Sequence, residues 1–260
     1  MRHCYVIRVF TVGDSGGNAL GVVPDSTGLD ASAMQRVAAD LGFSETVFIK
    51  WRVGETPALR IFTPAAEMPF AGHPLVGTAW ILNAIGPGVN RMSIQIGEVG
   101  IRFEDEVVWV SPPAIDQPVR EVAVDEAINL GIPTATRAWR VEVPSDYLVA
   151  EVASEADLLG AAPDLGAVAA AVDGLYLFHG HGLTRARFFG PRLGVDEDPA
   201  TGSAAVALCA VSRLLGQESG TSRIVQGLPG FLSEIHMTWD GLEVELGGRV
   251  VKDEVRVLEI

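Results

Sequence analysis

A chain of 260 residues is near the upper limit for one hydrophobic core, so one large domain or two of about 130 residues both fit. Hydrophobic residues make up 48% of the chain and charged residues 20%, which excludes an intrinsically disordered protein. The net charge of −14 argues against nucleic acid and membrane partners, because an acidic surface repels phosphate groups and anionic lipid. A small anionic metabolite remains compatible with this charge, since local donors in a cleft can outweigh it.

The beginning of the chain predicts a strand and no targeting segment. Residues 1–10 lack the apolar stretch and the small-residue cleavage site of a signal peptide. No apolar run approaches the roughly 20 residues that span a bilayer, so we expect a cytoplasmic protein. The two cysteines, Cys4 and Cys209, form neither a disulfide framework nor a zinc-binding pattern, and we expect no metal site.

Short strands dominate the predicted elements, and helices are fewer. One helix is predicted from Asp30, a capping residue, to Leu41 before Gly42, and another from Glu155 to Val172, split by Pro163. Because strands and helices do not alternate strictly, the pattern favours an α+β fold. The predicted strands are Tyr5–Val12, Thr46–Lys50, Leu59–Thr63, Met92–Ile96, Val107–Ser111, Trp139–Val143, Leu175–His179, Ala186–Phe189, Leu242–Leu246 and Glu254–Leu258.

A proline-rich segment, Ser111–Pro118, lies near the middle of the chain and predicts a linker. An internal repeat supports a division there. Residues 60–64 (RIFTP) resemble residues 187–191 (RFFGP), and residues 69–73 (PFAGH) resemble residues 199–203 (PATGS). The two pairs are offset by 127 and 130 residues, so a strand–loop–helix unit is predicted to occur twice. Two coincidental turns of the same kind are the alternative.

Each copy of the repeat places a glycine before a predicted helix, which extends over Leu75–Ala84 in the first copy and Ala204–Leu215 in the second. The first N–H groups of a helix have no internal acceptor and carry partial positive charge, so Gly72 and Gly202 can begin sites for a carboxylate or oxyanion. We expect the two helix starts to face one cleft and to hold one small anion. A tight-turn role for either glycine is the alternative.

Charged residues next to these turns are candidates for the chemistry, and each has a structural alternative. His73 can be an ordinary first-turn histidine, Ser203 a helix N-cap, and Asp196-Glu197-Asp198 a solvated loop. Glu45 begins a hydrophobic strand, where apolar neighbours tend to raise the pKa of a carboxyl group, as a proton-transfer group requires. An ordinary surface position is the alternative for Glu45.

These residues together resemble the PhzF-like (phenazine biosynthesis) family, which has the diaminopimelate epimerase-type fold. The resemblance extends over most of the chain, and the combination of motifs is specific. The matching stretches are Phe10-Thr11 with Gly17-Asn18, residues 21–23 (GVV), residues 44–48 (SETVF), residues 59–64 (LRIFTP) with Glu67, residues 72–74 (GHP), residues 187–189 (RFF), residues 197–204 (EDPATGSA) and Gln226-Gly227.

The resemblance implies two pseudo-symmetric domains, each a curved mixed sheet or barrel around a central helix, with the active site at their junction. We expect the domains at 1–115 and 116–245, with a final segment, 246–260, returning to the first. The implied activity is a cofactor-independent proton shift on a small cyclic or unsaturated carboxylic acid, and the implied assembly is a homodimer. The implied catalytic residues are Glu45, His73 and Asp198, and the implied substrate-binding residues are Asn18, Gly72, His73, Thr201, Gly202 and Ser203.

The sequence also departs from the family pattern, and two other functions stay open. Residues 13–16 (GDSG) and 230–232 (GFL) replace the family's motifs, and the second change removes a substrate-binding arginine. One alternative is a non-catalytic metabolite-binding protein that keeps the fold. The other is an amino-acid racemase or epimerase with a cysteine on each side of the substrate carbon, which is disfavoured because neither glycine turn contains a cysteine.

Overall fold

The computed structural model describes residues 1–52, 54–86, 88–114, 117–143 and 145–259. The chain divides into two compact units, one formed by residues 1–113 and 245–260 and the other by residues 114–244. The predicted boundary between Ile115 and Asp116 lies outside the described residues.

The first unit is a mixed sheet with one surface helix and one central helix. Its elements, in chain order, are β1 (Arg2–Val9), β2 (Asn18–Val23), α1 (Ala31–Leu41), β3 (Glu45–Lys50), β4 (Ala58–Phe62), β5 (Glu67–Met68), α2 (Gly72–Ile85), β6 (Arg91–Ile94), β7 (Gly97–Glu104) and β8 (Val107–Ser111).

The second unit has a similar composition of elements. They are β9 (Val119–Val122), α3 (Asp125–Ile128), β10 (Ala135–Val143), β11 (Ser145–Val152), α4 (Glu155–Leu159), α5 (Leu165–Ala171), β12 (Gly174–His179), β13 (Leu183–Gly190), a 3-10 turn (Pro191–Leu193), β14 (Val195–Asp198), α6 (Gly202–Leu214), β15 (Ser219–Gln226) and β16 (Ser233–Asp240). The chain ends with β17 (Glu243–Gly248), which pairs with β8, and β18 (Val250–Leu258), which pairs with β1.

The two units pair their strands in the same order. In the first unit β1–β2 is antiparallel, β2–β3 parallel, β3–β4 and β4–β5 antiparallel, β4–β6 parallel and β6–β7 antiparallel. In the second unit β10–β11, β11–β12, β12–β13, β13–β14, β13–β15 and β15–β16 repeat this series of directions. The topology is therefore duplicated, and the predicted α+β class with a mixed sheet in each unit is confirmed.

A buried helix forms the centre of each unit. Helix α2 contacts β1, β2, β3, β8 and β18, which come from both ends of the strand order, so the sheet curves around it. Helix α6 contacts β9, β10, β11 and β16 in the same way. Both helices are apolar on nearly all sides, as a helix inside a core requires. At Gly77 of α2 a Cβ atom would lie 2.6 Å from the side chain of Leu20, so glycine permits this close approach.

The helix starts differ from the prediction. Helices α2 and α6 begin at Gly72 and Gly202 themselves, because Ala71 and Thr201 are the N-cap residues. Pro74 is accommodated inside the first turn of α2, since a first-turn N–H has no helical acceptor to lose. The longest described helix, α2, has 14 residues, fewer than the roughly 20 required, and none of the described helices meets the requirements of a membrane span.

Candidate active site

A β–α–β unit positions Glu45 in the first unit of the protein. Helix α1 connects the parallel strands β2 and β3, and its ends match the prediction. The Asp30 carboxylate accepts a hydrogen bond from the N–H of Ala33 at 2.7 Å, and Gly42 ends the helix at φ +69°. This stop places Glu45 at the first residue of β3, opposite Leu20, with 17% of its side chain exposed. Glu45 is therefore a largely enclosed carboxyl group at a strand end.

His73 lies in the first turn of the central helix α2. His73 is only 3% exposed, because α2 is enclosed by the sheet. Burial lowers the pKa of His73 from 6.5 to about 3, and an interaction with the backbone of Ala19 opposes this only in part. The imidazole ring is therefore neutral at physiological pH.

The Glu45–His73 cluster, which we define as Glu45, His73, Asn18 and Ser44, brings these groups together. The Nε2 atom of His73 lies 3.4 Å from Oε2 of Glu45. On the other side of the ring, Nδ2 of the buried Asn18 lies 3.5 Å from Nδ1 of His73. Ser44 donates its hydroxyl hydrogen to Oδ1 of Asn18 at 3.0 Å. The side chains of Asn18 and Ser44 thus orient the ring that faces the carboxylate.

A different polar cluster surrounds Asp198 in the second unit. The Asp198 cluster consists of Asp198, Thr201 and Gln226, all of them buried. Thr201 donates its hydroxyl hydrogen to Oδ2 of Asp198 at 2.5 Å. The amide of Gln226 donates to the backbone oxygen of Asp198 at 2.8 Å and to Oγ1 of Thr201 at 3.0 Å. Its Oε1 accepts from the N–H of Thr201 at 3.2 Å, so this network holds the carboxylate in one orientation.

Ser203 is not the N-cap of α6, which was the structural alternative to a role in the site. Thr201 occupies that position, and Ser203 is the second residue of α6. The hydroxyl of Ser203 lies 2.9 Å from the phenolic oxygen of Tyr147 on β11, at hydrogen-bonding distance. Because its backbone is already helical, Ser203 is available to present a hydroxyl group beside Gly202.

The other acidic residues near the repeat have a structural role that both units share. Arg60 pairs with Glu67 through Nε and Oε1 at 2.7 Å, and Arg187 pairs with Glu197 through the same atoms at 2.7 Å. Asp196 is exposed, as the solvated-loop alternative expected, but it lies in β14 and not in a loop, and Asp198 is buried. The two ion pairs lie at corresponding positions of the two units and stabilise the loops that lead to α2 and α6.

The first N–H groups of α2 and α6 have no acceptor within their helices. Neither Ala71 nor Thr201 forms a side-chain cap with the described first turns, so the N–H groups at Gly72 and Gly202 remain directed outward from the helix ends. The prediction that both helix starts serve one ligand stays a prediction.

Neither a metal cluster nor a thiol pair occurs at these positions. Within the described residues, no group of three or more His, Cys, Asp and Glu side chains is arranged to bind a metal ion. Cys4 and Cys209 are buried in β1 and α6, and burial raises their pKa values to about 11 and about 12. A thiolate is the reactive form of cysteine, so these positions do not suit a two-thiol racemase.

Comparison with known proteins agrees with this arrangement. The family model described as phenazine biosynthesis-like protein matches residues 7–228. The chain belongs to this family. A trans-2,3-dihydro-3-hydroxyanthranilate isomerase from Pseudomonas chlororaphis is 35% identical over 219 residues, which cover 79% of this chain and 77% of the relative. A relative with the same name, from Pseudomonas aeruginosa, is 33% identical. The prediction of an isomerase is confirmed.

Solved structures of this and related families share the fold. A PhzF family protein from Enterococcus faecalis superposes with a TM-score of 0.83 at 23% identity, covering 99% of both chains. A probable proline racemase from Agrobacterium radiobacter superposes with a TM-score of 0.69 at 11% identity, covering 100% of this chain and 93% of the racemase. The epimerase-type fold predicted from the resemblance is thereby confirmed.

Sequence reasoning placed Glu45, His73 and Asn18 among the site residues, and the structure brings these three together. It missed Tyr147 as the partner of Ser203 and Gln226 as the support of Asp198. Gln226 had a signal, since it precedes Gly227 within a matching family motif. Tyr147 had none, because its strand, β11, was not predicted.

Proposed function

We propose that the protein catalyses a proton shift between two carbons of a small cyclic or unsaturated carboxylic acid, without an organic cofactor or a metal ion. The observation that carries this proposal is the Glu45 carboxyl group, which lies 3.4 Å from the buried, neutral ring of His73. The family relationship and the isomerase names of its relatives support the same reaction class.

Glu45 is the proton carrier in this proposal. As the substrate C–H bond breaks, its electron pair enters the conjugated system, and the proton forms an O–H bond with Glu45. The same carboxyl group then returns the proton to a second carbon on the same face, so no net charge is gained or lost. A positioned acid–base group of this kind contributes roughly 10²–10⁴-fold to a rate.

His73 stabilises the delocalised anion that forms between the two steps. A neutral imidazole can donate one N–H hydrogen bond without acting as a competing acid, and its pKa of about 3 keeps it neutral at physiological pH. The N–H groups at the start of α2, beside Gly72, can donate hydrogen bonds to a negatively charged group of the substrate. Asn18 fixes the plane of the ring.

We assign substrate binding in the second unit to the polar groups at the start of α6. Asp198, oriented by Thr201 and Gln226, is suited to accept hydrogen bonds from an amino or hydroxyl group. The N–H groups at Gly202 and the hydroxyl of Ser203 are suited to a carboxylate.

The test compares Glu45→Gln with the wild type and with Glu55→Gln, an exposed control next to β4. The substrate probe is trans-2,3-dihydro-3-hydroxyanthranilate, with a panel of cyclic unsaturated carboxylic acids beside it. We expect turnover of at least one compound, a loss of about 10²–10⁴-fold in kcat for Glu45→Gln, and affinity close to that of the wild type by calorimetry. Glutamine keeps the size of the side chain but cannot carry the proton.

Two results would contradict the proposal. The first is Glu45→Gln turning over the probe at the rate of Glu55→Gln. The second is tight binding of the panel with no turnover by the wild type, which would identify a metabolite-binding protein.

A further inference from the structure

A cavity of about 260 Å³ lies in the second unit, along the part of helix α6 that follows its first turn. Ala205, Leu208, Cys209 and Ser212 form one wall, and they repeat at the three- and four-residue spacing of one helix face. The proposed substrate groups lie at Gly202 and Ser203, before this stretch, and do not line the cavity. The cavity is therefore a separate feature of the same helix.

Much of the cavity wall is apolar, and it includes aromatic rings. Phe178 on β12 and Trp239 on β16 line it, and both are nearly buried, at 2% and 7% exposure. Ile224 on β15 is 1% exposed. The exposed part of the lining includes His181, whose side chain is 70% exposed.

Three polar side chains of the lining donate their hydrogens to the protein's own backbone. Thr184 donates to the oxygen of Gly180 at 3.3 Å, and Ser212 donates to that of Leu208 at 3.0 Å. The Trp239 indole donates to the oxygen of Gln217 at 2.9 Å. Asp, Glu, Lys and Arg are absent from the described residues that line the cavity. The hydroxyls of Thr184 and Ser212 and the indole N–H of Trp239 therefore keep their hydrogen bonds when an apolar ligand occupies the cavity.

We propose that this cavity is a second ligand site, which takes an uncharged single-ring aromatic molecule with a short apolar substituent. Its size agrees, because an apolar cavity of about 150 Å³ already holds benzene in another protein. Burial of the ligand against Phe178 and Trp239 provides the driving force, and the exposed part of the lining at His181 provides the entry. The site is independent of the Glu45 chemistry.

The test uses fluorobenzene as the probe and follows its fluorine resonance by NMR, with quenching of tryptophan fluorescence as a second readout. Ser212→Leu fills the cavity from the helix side, and Ser212→Ala is the matched control that keeps the space open. We expect saturable binding to the wild type and to Ser212→Ala, and at least about tenfold weaker binding to Ser212→Leu, because extra carbons occupy the volume of the ligand. Circular dichroism checks that each variant is folded.

Thr221→Leu, with Thr221→Val as its control, repeats the test from the opposite wall on β15 if Ser212→Leu does not fold. Absence of saturable binding to the wild type would overturn the proposal. Unchanged binding to the folded leucine variant would also overturn it, because the probe would then occupy another place.

Discussion

The two units share one topology but place their acids at positions that do not correspond. In the first unit, Glu45 begins β3 and lies opposite Leu20 of the parallel strand β2. In the second, Gly174 begins the equivalent strand β12 and lies opposite Tyr147 of β11. Conversely, Asp198 pairs with Phe188, whereas the equivalent pairing in the first unit joins Met68 with Ile61. Of these two positions, each unit has an acid at only one. Glu45 and Asp198 are therefore not equivalent residues of the repeat.

Packing explains why the position of Glu45 is empty in the second unit. A Cβ atom added at Gly174 would lie 2.3 Å from the ring of Phe188 and 3.1 Å from that of Tyr147. Aromatic side chains thus occupy the volume that holds a carboxyl group in the first unit. The same Tyr147 lies at hydrogen-bonding distance from Ser203, so the space is used to support the start of α6.

The environments of the two acids also differ. Glu45 faces a neutral imidazole and keeps 17% of its side chain exposed, which suits a group that exchanges a proton with a ligand. The carboxylate of Asp198 is held by the hydroxyl of Thr201, which Gln226 fixes in turn. These environments agree with the roles that we propose, proton transfer for Glu45 and substrate binding for Asp198.

The largest expected effect is on the pH dependence of stability, and it comes from the buried ring of His73. The folded protein binds a proton at His73 only near pH 3, whereas the unfolded chain binds it below about pH 6.5. The contribution of the neutral His73 ring to the free energy of unfolding is complete above pH 6.5, and it is lost as the pH falls toward 3. His73 alone contributes a slope of about 1.4 kcal/mol of unfolding free energy per pH unit in that window.

We therefore expect His73→Asn to have a flatter stability profile between pH 6.5 and pH 4 than the wild type, as measured by urea unfolding. His3→Asn, at an exposed residue of β1, is the control and should leave the profile unchanged. A His73→Asn profile parallel to that of the wild type would show that the ring is not held neutral by burial.

The next largest effect is expected in the second unit. Asp198→Asn keeps the shape of the side chain but removes its charge, and hydrogen bonds to charged groups contribute about 1.5–3 kcal/mol. We expect KM for the probe substrate to rise about 10–100-fold with a smaller change in kcat, because the role that we propose for Asp198 is binding and not proton transfer. Steady-state kinetics measure both constants. A kcat loss as large as that of Glu45→Gln, at unchanged KM, would reverse the two roles.

A smaller effect tests the packing at Gly174, which distinguishes the second unit from the first. Gly174→Ala forces a methyl group against Phe188, and overpacking of this kind costs about 1–3 kcal/mol of unfolding free energy. Gly100→Ala in β7 is the matched control, since its nearest neighbour would be at 3.5 Å, an ordinary contact distance. Thermal unfolding compares the two variants. Equal stability would mean that the second unit has room for a side chain where the first has Glu45.

The sequence predicted the features whose signals are local. Asp30 and Gly42 identified both ends of α1, Pro163 separated α4 from α5, and the repeat identified the helix starts to within a few residues. Strands such as Ser219–Gln226 were missed because their exposed faces are polar and Gly220 interrupts the pattern. That glycine is required by packing, since a Cβ there would lie 2.6 Å from the ring of Trp239.

The members of the candidate site could be proposed from the sequence, whereas the distances between them could not. Family motifs identified Glu45, His73, Asn18 and Asp198 by position. The distances within each cluster depend on strands paired far apart in sequence, such as β2 with β3 and β11 with β12, and these pairings have no local signal. The loss of a side chain at Gly174 likewise follows from the distant Phe188.

The most direct test of the central claim is incorporation of deuterium from heavy water into the turned-over substrate, followed by proton NMR for the wild type and Glu45→Gln. If Glu45 carries the proton, the wild type introduces solvent deuterium at the carbon that receives it, and Glu45→Gln does so about 10²–10⁴-fold more slowly while still binding the substrate. Undiminished incorporation by Glu45→Gln would contradict the account and make Asp198 the next candidate for the proton carrier.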